Sequence, residues 1–106
     1  MRTQVVIIGA GPAGLLLGNL LDQQNIDNII LERQSADYVL ARIRAGILEQ
    51  TTVDMMAHVG AQERLVSEGI IHHGVNIAFD KQMAAIALGA ATGGKVVTAY
   101  GQTEVT

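Results

Sequence analysis

The sequence contains no cysteine, no tryptophan, a single proline and only three aromatic residues. Without cysteine it cannot form a disulfide scaffold or a thiolate metal site, and this fits a reducing cytoplasm. With so few aromatic side chains, the core is predicted to consist of Ala, Val, Ile, Leu and Met, with Met55, Met56 and Met83 inside it. The 106 residues fit at most one small domain, and a net charge of −3 offers no basic surface for nucleic acid.

One uncharged stretch, residues 5–21, follows Arg2 and resembles a signal peptide or a short membrane span. It is short for a span, it turns polar at residues 22–24, and four glycines and a proline interrupt it. We therefore expect neither a targeting segment nor a membrane partner.

The first third of the chain predicts a βαβ unit. Its parts are a buried parallel strand over residues 4–8, a glycine-rich turn over 9–14, a helix from Pro12 to about Gln24 and a second strand over 28–31. Asn25 can end the helix in a left-handed conformation. A βαβ unit has about this length of thirty residues.

The turn fits the pattern G-x-G-x-x-G, with Gly9, Gly11 and Gly14 at the conserved spacing of that motif. These glycines allow a tight turn, close approach of a pyrophosphate and close packing of helix on strand, while the helix N-terminus faces the phosphates. Glu32 ends the second strand 18 residues after Gly14, where a carboxylate accepts hydrogen bonds from ribose hydroxyls and repels a 2′-phosphate. The motif predicts a dinucleotide site but does not separate FAD from NAD.

Regular patterns are weaker after Glu32. The sequence predicts loop and helices over 33–69 and strands over 70–100. In detail, we expect a loop over 33–44, helices over 45–59 and 62–67, a strand from 70 to 79, a turn over 80–82, a return strand to Leu88, a loop over 89–95 and a strand over 96–100. Thr103 followed by a carboxylate predicts the start of another helix. We therefore expect the chain to be the N-terminal part of a longer protein.

Two short sequence motifs are more specific than the glycine loop: Glu32-Arg33-Gln34 and Arg42-Ile43-Arg44-Ala45-Gly46. With residues 1–50, 70–79 and 100–106 around them, they resemble the 4-hydroxybenzoate 3-monooxygenase family of flavoprotein aromatic hydroxylases. The resemblance covers nearly the whole chain but only about the first quarter of a family member. It implies an α/β fold, a Rossmann-like FAD-binding domain that residues 1–106 begin but do not complete, with a small antiparallel β insertion. The substrate domain is expected outside this chain.

The same resemblance implies a reaction. A family member hydroxylates 4-hydroxybenzoate to 3,4-dihydroxybenzoate with FAD as cofactor and NADPH and O₂ as co-substrates, and it works as a cytoplasmic homodimer. Implied FAD contacts are Gly9, Gly11, Pro12, Ala13, Gly14, Glu32, Arg33, Arg42, Arg44, Ile47 and Gln102. Implied NADPH contacts are Arg33, Gln34, Tyr38 and Arg44.

Two site assignments depend on the resemblance more than on the residues themselves. From the residues alone, Arg42 and Arg44 are equally well explained as solvated side chains or as a clamp on a diphosphate; the resemblance implies that Arg44 positions flavin and NADPH. His72 alone is best explained as a structural or surface residue, whereas the resemblance implies the outer end of a proton relay. His72 and His73 would point to opposite faces of a strand, and His58 has no ligand spacing to either, so we expect no metal site.

Two other functions remain open, an NAD-linked dehydrogenase and a non-catalytic nucleotide-binding module. A dehydrogenase sheet should continue with a third parallel strand soon after Glu32, which the sequence does not predict. The chain also departs from the family pattern in two places. Ala13 stands where relatives carry Ser, and residues 83–91 are much less charged than the corresponding strand and loop.

Overall fold

The computed structural model describes all 106 residues, in seven strands and six helices. The chain begins with strand β1 (Val5–Ile8), helix α1 (Pro12–Gln23) and strand β2 (Asn28–Leu31). β1 and β2 pair in parallel, and α1 packs against them on one face. At Gly18, an added Cβ would lie 2.9 Å from the Cδ1 atom of Ile30, so this buried glycine permits the close approach of α1 to β2.

The rest of the chain forms two further sheets. Strands β3 (Ile47–Glu49), β7 (Val97–Ala99) and β4 (Ile70–His72) form an antiparallel sheet in the order β3-β7-β4. Strands β5 (Gly74–Phe79) and β6 (Gln82–Ala87) form a separate hairpin. The remaining helices are α2 (Ala36–Ala41), α3 (Gln50–His58), α4 (Glu63–Glu68), α5 (Leu88–Thr92) and α6 (Gln102–Val105). None of the six helices is long and apolar enough to cross a membrane.

The core is small. Only six residues are buried, and three of them, Met56, Leu65 and Tyr100, form one cluster. The radius of gyration is 17.0 Å, whereas a compact domain of this length has about 13 Å. Strand β1 buries Ile7 but leaves Ile8 80% exposed, so the predicted burial of this strand on both faces was wrong. The β5–β6 hairpin is exposed along its whole length.

The first two elements after Glu32 differ from the prediction. Within the expected loop over 33–44, the chain forms α2, capped by Ser35, whose Oγ accepts the N–H of Tyr38 at 3.2 Å. Within the expected helix over 45–59, residues 47–49 are strand β3 and the helix begins only at Gln50. Pairing of Leu48 with Thr98 explains the strand, because a partner 50 residues away outweighs local helix propensity.

The β region also differs in detail. The predicted strand from residue 70 to 79 is broken at His73 into β4 and β5, which belong to different sheets. The hairpin turn is Asp80-Lys81 alone, with φ of 47° and 58°, as in a two-residue type I′ turn. Residues 88–92, expected to be the end of a strand and a loop, form α5, which ends at left-handed Gly93.

The composition of the core was predicted only in part. Met56 is buried, but Met55 is 41% exposed and Met83 is 70% exposed, so neither is a core residue. Tyr100, one of the three aromatic residues, is at the centre of the core although the composition favoured aliphatic side chains alone. The left-handed conformation expected of Asn25 is confirmed, with a φ of 55°.

Candidate functional site

The glycine loop connects β1 to α1 and is closely tied to the end of β2. Gly9 has a φ of +112°, a conformation that side chains disfavour, and its N–H donates to the carbonyl of Leu31 at 2.7 Å. A Cβ on Gly14 would lie 2.0 Å from the carbonyl oxygen of Gly9, so glycine is required there by packing. A Cβ on Gly11 would meet no protein atom within 4 Å, so the space beside Gly11 is open to a ligand.

The N-terminus of α1 is free to bind an anion. Gly11 caps the helix without any side-chain hydrogen bond, and Pro12 occupies the first helical position, where its missing N–H costs nothing. The N–H groups of the first turn have no partner within the helix, and the positive end of the helix dipole lies at the same point. This geometry suits a phosphate.

Glu32 lies beside the loop and is held by two backbone donors. Its Oε2 accepts the N–H of Ala10 at 2.9 Å, and its Oε1 accepts the N–H of Gln34 at 2.7 Å. The bond from Ala10 is the main reason that the pKa of Glu32 is lowered, with further contributions from Gln34 and Arg33. The carboxylate is therefore ionised, exposed to solvent and able to accept further hydrogen bonds from a ribose.

Two cavities adjoin this loop. One, of about 320 Å³, is lined by Ala10, Glu32 and Gln34 together with apolar side chains of α2. The other, of about 470 Å³, lies on the far side of the first turn of α1, between Pro12 and Met56, and no charged residue lines it. The smaller cavity combines a carboxylate with an apolar wall, a lining that suits a nucleoside.

A second group of predicted site residues meets at the edge of the three-stranded sheet. The Arg44 N–H donates to the side-chain Oε1 of Gln102 at 3.0 Å, across 58 residues of sequence. The Tyr100 N–H donates to the carbonyl of Gly46 at 2.8 Å, and Ile47 pairs with Ala99 in the sheet. The structure thus brings Arg44, Ile47 and Gln102 together.

Arg42 and Tyr38 form a third contact. Arg42 follows the last residue of α2, and its Nη1 donates to the hydroxyl of Tyr38. Its guanidinium carbon lies 5.6 Å from the centre of the Tyr38 ring, within the range of a cation–π interaction. A residue expected at FAD and one expected at NADPH are therefore direct neighbours.

His72 is not brought to any of these contacts. It is the last residue of β4, it is exposed to solvent, and it pairs with Val97 in the sheet. Glu49 pairs with Val97 from the other side, so Glu49 and His72 lie on the same face of the sheet with Val97 between them. His73 follows in the break between β4 and β5, so the expectation that both histidines share one strand was wrong.

Sequence reasoning missed a cluster of charged side chains that contacts the residues on both sides of Gln102 in the sequence. Arg64 binds both Glu68, one helical turn away, and Glu104 in α6, and Glu68 also accepts the hydroxyl hydrogen of Tyr100. The i,i+4 spacing of Arg64 and Glu68 is visible in the sequence. Their contacts with Tyr100 and Glu104 depend on the tertiary fold and have no sequence signal.

Known proteins resemble this chain in both sequence and fold. A family model described as an FAD binding domain matches residues 2–106. The p-hydroxybenzoate hydroxylase of Acinetobacter baylyi is 53% identical over all 106 residues, which correspond to 26% of that protein. A phenol 2-monooxygenase from a Pseudomonas species is 29% identical over 72 residues, or 68% of this chain and 12% of that one.

The fold has a counterpart among solved structures. A probable FAD-dependent monooxygenase from Pseudomonas aeruginosa superposes with a TM-score of 0.80 over 97% of this chain and 28% of its own, at 15% identity, which shows the shared fold. The chain thus spans about a quarter of the length of p-hydroxybenzoate hydroxylase and of this solved structure. The free helix N-terminus, the open space at Gly11 and the ionised Glu32 fit an adenine dinucleotide. With the family model matching residues 2–106, the chain belongs to the FAD-binding domain family of flavoproteins.

Proposed function

We propose that residues 9–14 and Glu32 hold the ADP half of FAD. The pyrophosphate would lie at the N-terminus of α1 beside Gly11, where the first-turn N–H groups are free. The adenosine ribose would donate its hydroxyl hydrogens to Glu32, which already accepts one bond on each oxygen and has lone pairs left. Pro12 and Ala13 would shape the first turn, and Arg33 would lie along the same edge.

We propose further that the native-length protein is a flavin-dependent aromatic monooxygenase. The observation that carries this proposal is the 53% identity to p-hydroxybenzoate hydroxylase over the whole chain. The reaction would convert 4-hydroxybenzoate, NADPH, a proton and O₂ into 3,4-dihydroxybenzoate, NADP⁺ and water. Bound FAD supplies the redox chemistry, and the residues of this chain bind and orient it. In this view residues 1–106 are the N-terminal part of the FAD-binding domain, and the substrate domain lies outside them.

Arg42, Arg44, Ile47 and Gln102 would contact FAD on the flavin side of the pyrophosphate. The bond between Arg44 and Gln102 supports this, because it holds the two residues at the same edge of the sheet. Arg44 would also position NADPH, since a guanidinium can hydrogen-bond two phosphate oxygens at once.

NADPH would be recognised by Arg33, Gln34 and Tyr38. All three are exposed and lie on the loop and helix that follow Glu32, so their side chains are open to an incoming coenzyme. The positive charge of Arg33 suits a 2′-phosphate, whereas Glu32 is committed to a different ribose. Tyr38 supports Arg42 directly, which would link the two nucleotide sites.

His72 would act at the outer end of a proton relay that removes the phenolic proton of the substrate. Its exposure to solvent at the end of β4 supports this role, because a terminal relay group must exchange its proton with water. Imidazole suits the task since it gains and loses a proton near neutral pH. His73 would not take part.

The assembly and location of the protein complete the proposal. We propose a cytoplasmic homodimer, as the family resemblance implies. A chain without cysteine suits a reducing compartment. Size-exclusion chromatography with light scattering would measure the oligomeric state.

The test uses the purified native-length protein. A visible flavin absorbance band that is released as FAD on denaturation is expected. NADPH oxidation should rise on addition of 4-hydroxybenzoate, with one 3,4-dihydroxybenzoate formed per NADPH, and phenol should serve as the comparison substrate. Product from phenol alone would instead favour the chemistry of the second relative, and flavin without hydroxylation of either compound would contradict the monooxygenase.

An NAD-linked dehydrogenase fits less well. The strand that follows β2 along the chain, β3, pairs antiparallel with β7 in a separate sheet and does not extend the β1–β2 pair. A dehydrogenase of this fold would need a third parallel strand at that point.

A further inference from the structure

Both salt bridges of the chain meet at one side chain, Arg64 in α4. Its Nε lies 3.1 Å from Glu68 Oε1 and its Nη2 lies 3.1 Å from Glu68 Oε2, and Nη2 also contacts Glu104. The hydroxyl of Tyr100, a buried residue, donates to Glu68 Oε2 at 2.7 Å. We name these four residues, Arg64, Glu68, Tyr100 and Glu104, the Arg64 network.

The Arg64 network surrounds the element that carries Gln102. Tyr100 lies two residues before Gln102, and Glu104 lies two residues after it on α6. On the opposite side of α6, Thr103 donates its hydroxyl hydrogen to the carbonyl of Leu40 in α2 at 2.9 Å. Gln102 is thus held between α4 and α2, with its side chain on the backbone of Arg44.

Helix α6 needs such support because it is weak by itself. It has four residues, its N-cap Gly101 offers no side-chain hydrogen bond, and none of its residues is fully buried. A helix this short does not persist in water without tertiary contacts. Three tertiary contacts hold α6 and with it Gln102: the bond of Thr103 to Leu40, the bond of Glu104 to Arg64, and the packing of Val105 on the Met56, Leu65 and Tyr100 cluster.

The network is poorly suited to a role in stability alone. The side chains of Arg64, Glu68 and Glu104 are 60%, 46% and 44% exposed, and exposed ion pairs add little to the free energy of unfolding. The pKa shifts of its members nevertheless favour the protonation states in which they hydrogen-bond to one another. The guanidinium of Arg64 lowers the pKa of Glu68, and burial together with the bond to Glu68 raises the pKa of Tyr100, which stays a donor. A charged network of this kind fixes geometry more than it adds stability.

We propose that the Arg64 network is a positioning device for the flavin side of the FAD site: it sets the orientation of Gln102 and, through the Gln102–Arg44 bond, of the Arg42–Gly46 segment. None of its four side chains forms a hydrogen bond or an ion pair with the dinucleotide loop. The inference rests on the proposed contacts of Arg44 and Gln102 with FAD. Arg64 and Glu104 are accordingly positioning residues, and their loss acts on FAD through Gln102.

The test compares E104Q, R64Q and R64K in the native-length holoenzyme, with E63Q as the matched control. Glu63 is exposed on the same helix as Arg64 and makes no side-chain hydrogen bond or ion pair. E104Q removes the negative charge from the tether between α6 and Arg64 and leaves the Arg64–Glu68–Tyr100 contacts in place. We expect E104Q and R64Q to weaken FAD binding about three- to fivefold and to change the visible circular dichroism of the bound flavin. R64K should recover part of both effects, and E63Q should match the native protein.

Two results distinguish a failure of the positioning role from a failure of the proposed contact between Gln102 and FAD. If E104Q and R64Q kept the native FAD dissociation constant and flavin dichroism, even with a lower melting temperature, the network would be structural only and the proposal would be overturned. A Q102A variant tests the assumption beneath it. Loss of FAD affinity in Q102A, with none in E104Q, would reject the positioning role alone, whereas an unchanged Q102A would reject the proposed contact of Gln102 with FAD.

Discussion

The carbonyl oxygen of Gly9 lies where a side chain on Gly14 would begin: a Cβ built on Gly14 would be 2.0 Å from that oxygen. Gly11, two residues from Gly9, shows the opposite, since a Cβ there would meet no protein atom within 4 Å. Glycine is thus required at these two positions for different physical reasons. Gly14 is required by the packing of α1 on the loop, and Gly11 leaves space that only a ligand would fill.

Substitution of these glycines should separate stability from FAD binding. G14A should lower the free energy of unfolding by about 1–3 kcal/mol, because the clash is with backbone that cannot rotate away. G11A should cost less than about 1 kcal/mol, since its φ of −75° suits alanine, yet it should weaken FAD binding at least as much as G14A. Urea denaturation of the apoprotein and titration with FAD measure the two effects. Equal loss of stability in both variants would contradict this assignment.

The bonds from Ala10 and Gln34 to Glu32 predict a pH dependence of stability. Because the folded-state pKa of Glu32 is lower than its value in the unfolded chain, the ionised carboxylate stabilises the fold above the unfolded pKa. That contribution is lost as the pH falls from the ordinary glutamate pKa of 4.5 through the lower pKa of the folded state.

E32Q, which keeps the size of the side chain but cannot ionise, is the variant that tests this dependence. At pH 7 it should be less stable than the native protein and bind FAD more weakly, and the stability difference should shrink as the pH drops below the unfolded pKa. Apoprotein denaturation from pH 3 to 7 provides the measurement. A difference that is independent of pH would show that the charge of Glu32 is not the stabilising feature.

How much could be predicted from the sequence depends on the range of the contacts. The βαβ unit was predictable because its signals, a β-branched run, three glycines and Asn25, all act within thirty residues. Strand β3 was not, because Ile47–Glu49 takes its conformation from Val97–Ala99. Helix α2 had a local signal, because Ser35 is a residue type that favours helix starts. The polar composition of residues 33–44 concealed that signal.

The candidate site also has a part that was predictable from local sequence and a part that depends on long-range contacts. The motif identified Glu32 and the glycines without any structure. The contacts of Arg44 with Gln102 and of Arg64 with Glu104 join residues 58 and 40 positions apart, and no periodicity encodes them. The exposure of Ile8 in β1 and of Met83 in the hairpin also differs from the prediction, because burial depends on what covers a face and the local pattern gives only its polarity.

The small core predicts that single truncations inside it are costly. Leu65 is 3% exposed and packs with Met56 and Tyr100, so L65A should lower the free energy of unfolding by about 2–5 kcal/mol. The neighbouring V66A is the control, since Val66 is 73% exposed and its loss should cost less than about 0.5 kcal/mol. Urea denaturation of the native-length protein measures both. Similar losses in the two variants would mean that this cluster is not the stabilising core.

Arg33 should determine the choice between NADPH and NADH. A hydrogen bond between a guanidinium and a phosphate contributes about 1.5–3 kcal/mol, so R33Q should lower kcat/KM for NADPH by roughly ten- to a hundredfold. NADH has no 2′-phosphate for Arg33 to bind, so its kcat/KM should stay within about twofold of the native value. R2Q is the matched control, since Arg2 is exposed near the start of β1 and far along the chain from this loop. Steady-state oxidation of each coenzyme, with FAD and 4-hydroxybenzoate saturating, gives the selectivity ratio. If R33Q lowered kcat/KM equally for NADPH and NADH, Arg33 would act through FAD or through the loop conformation. Recognition of the 2′-phosphate would then have to come from other residues.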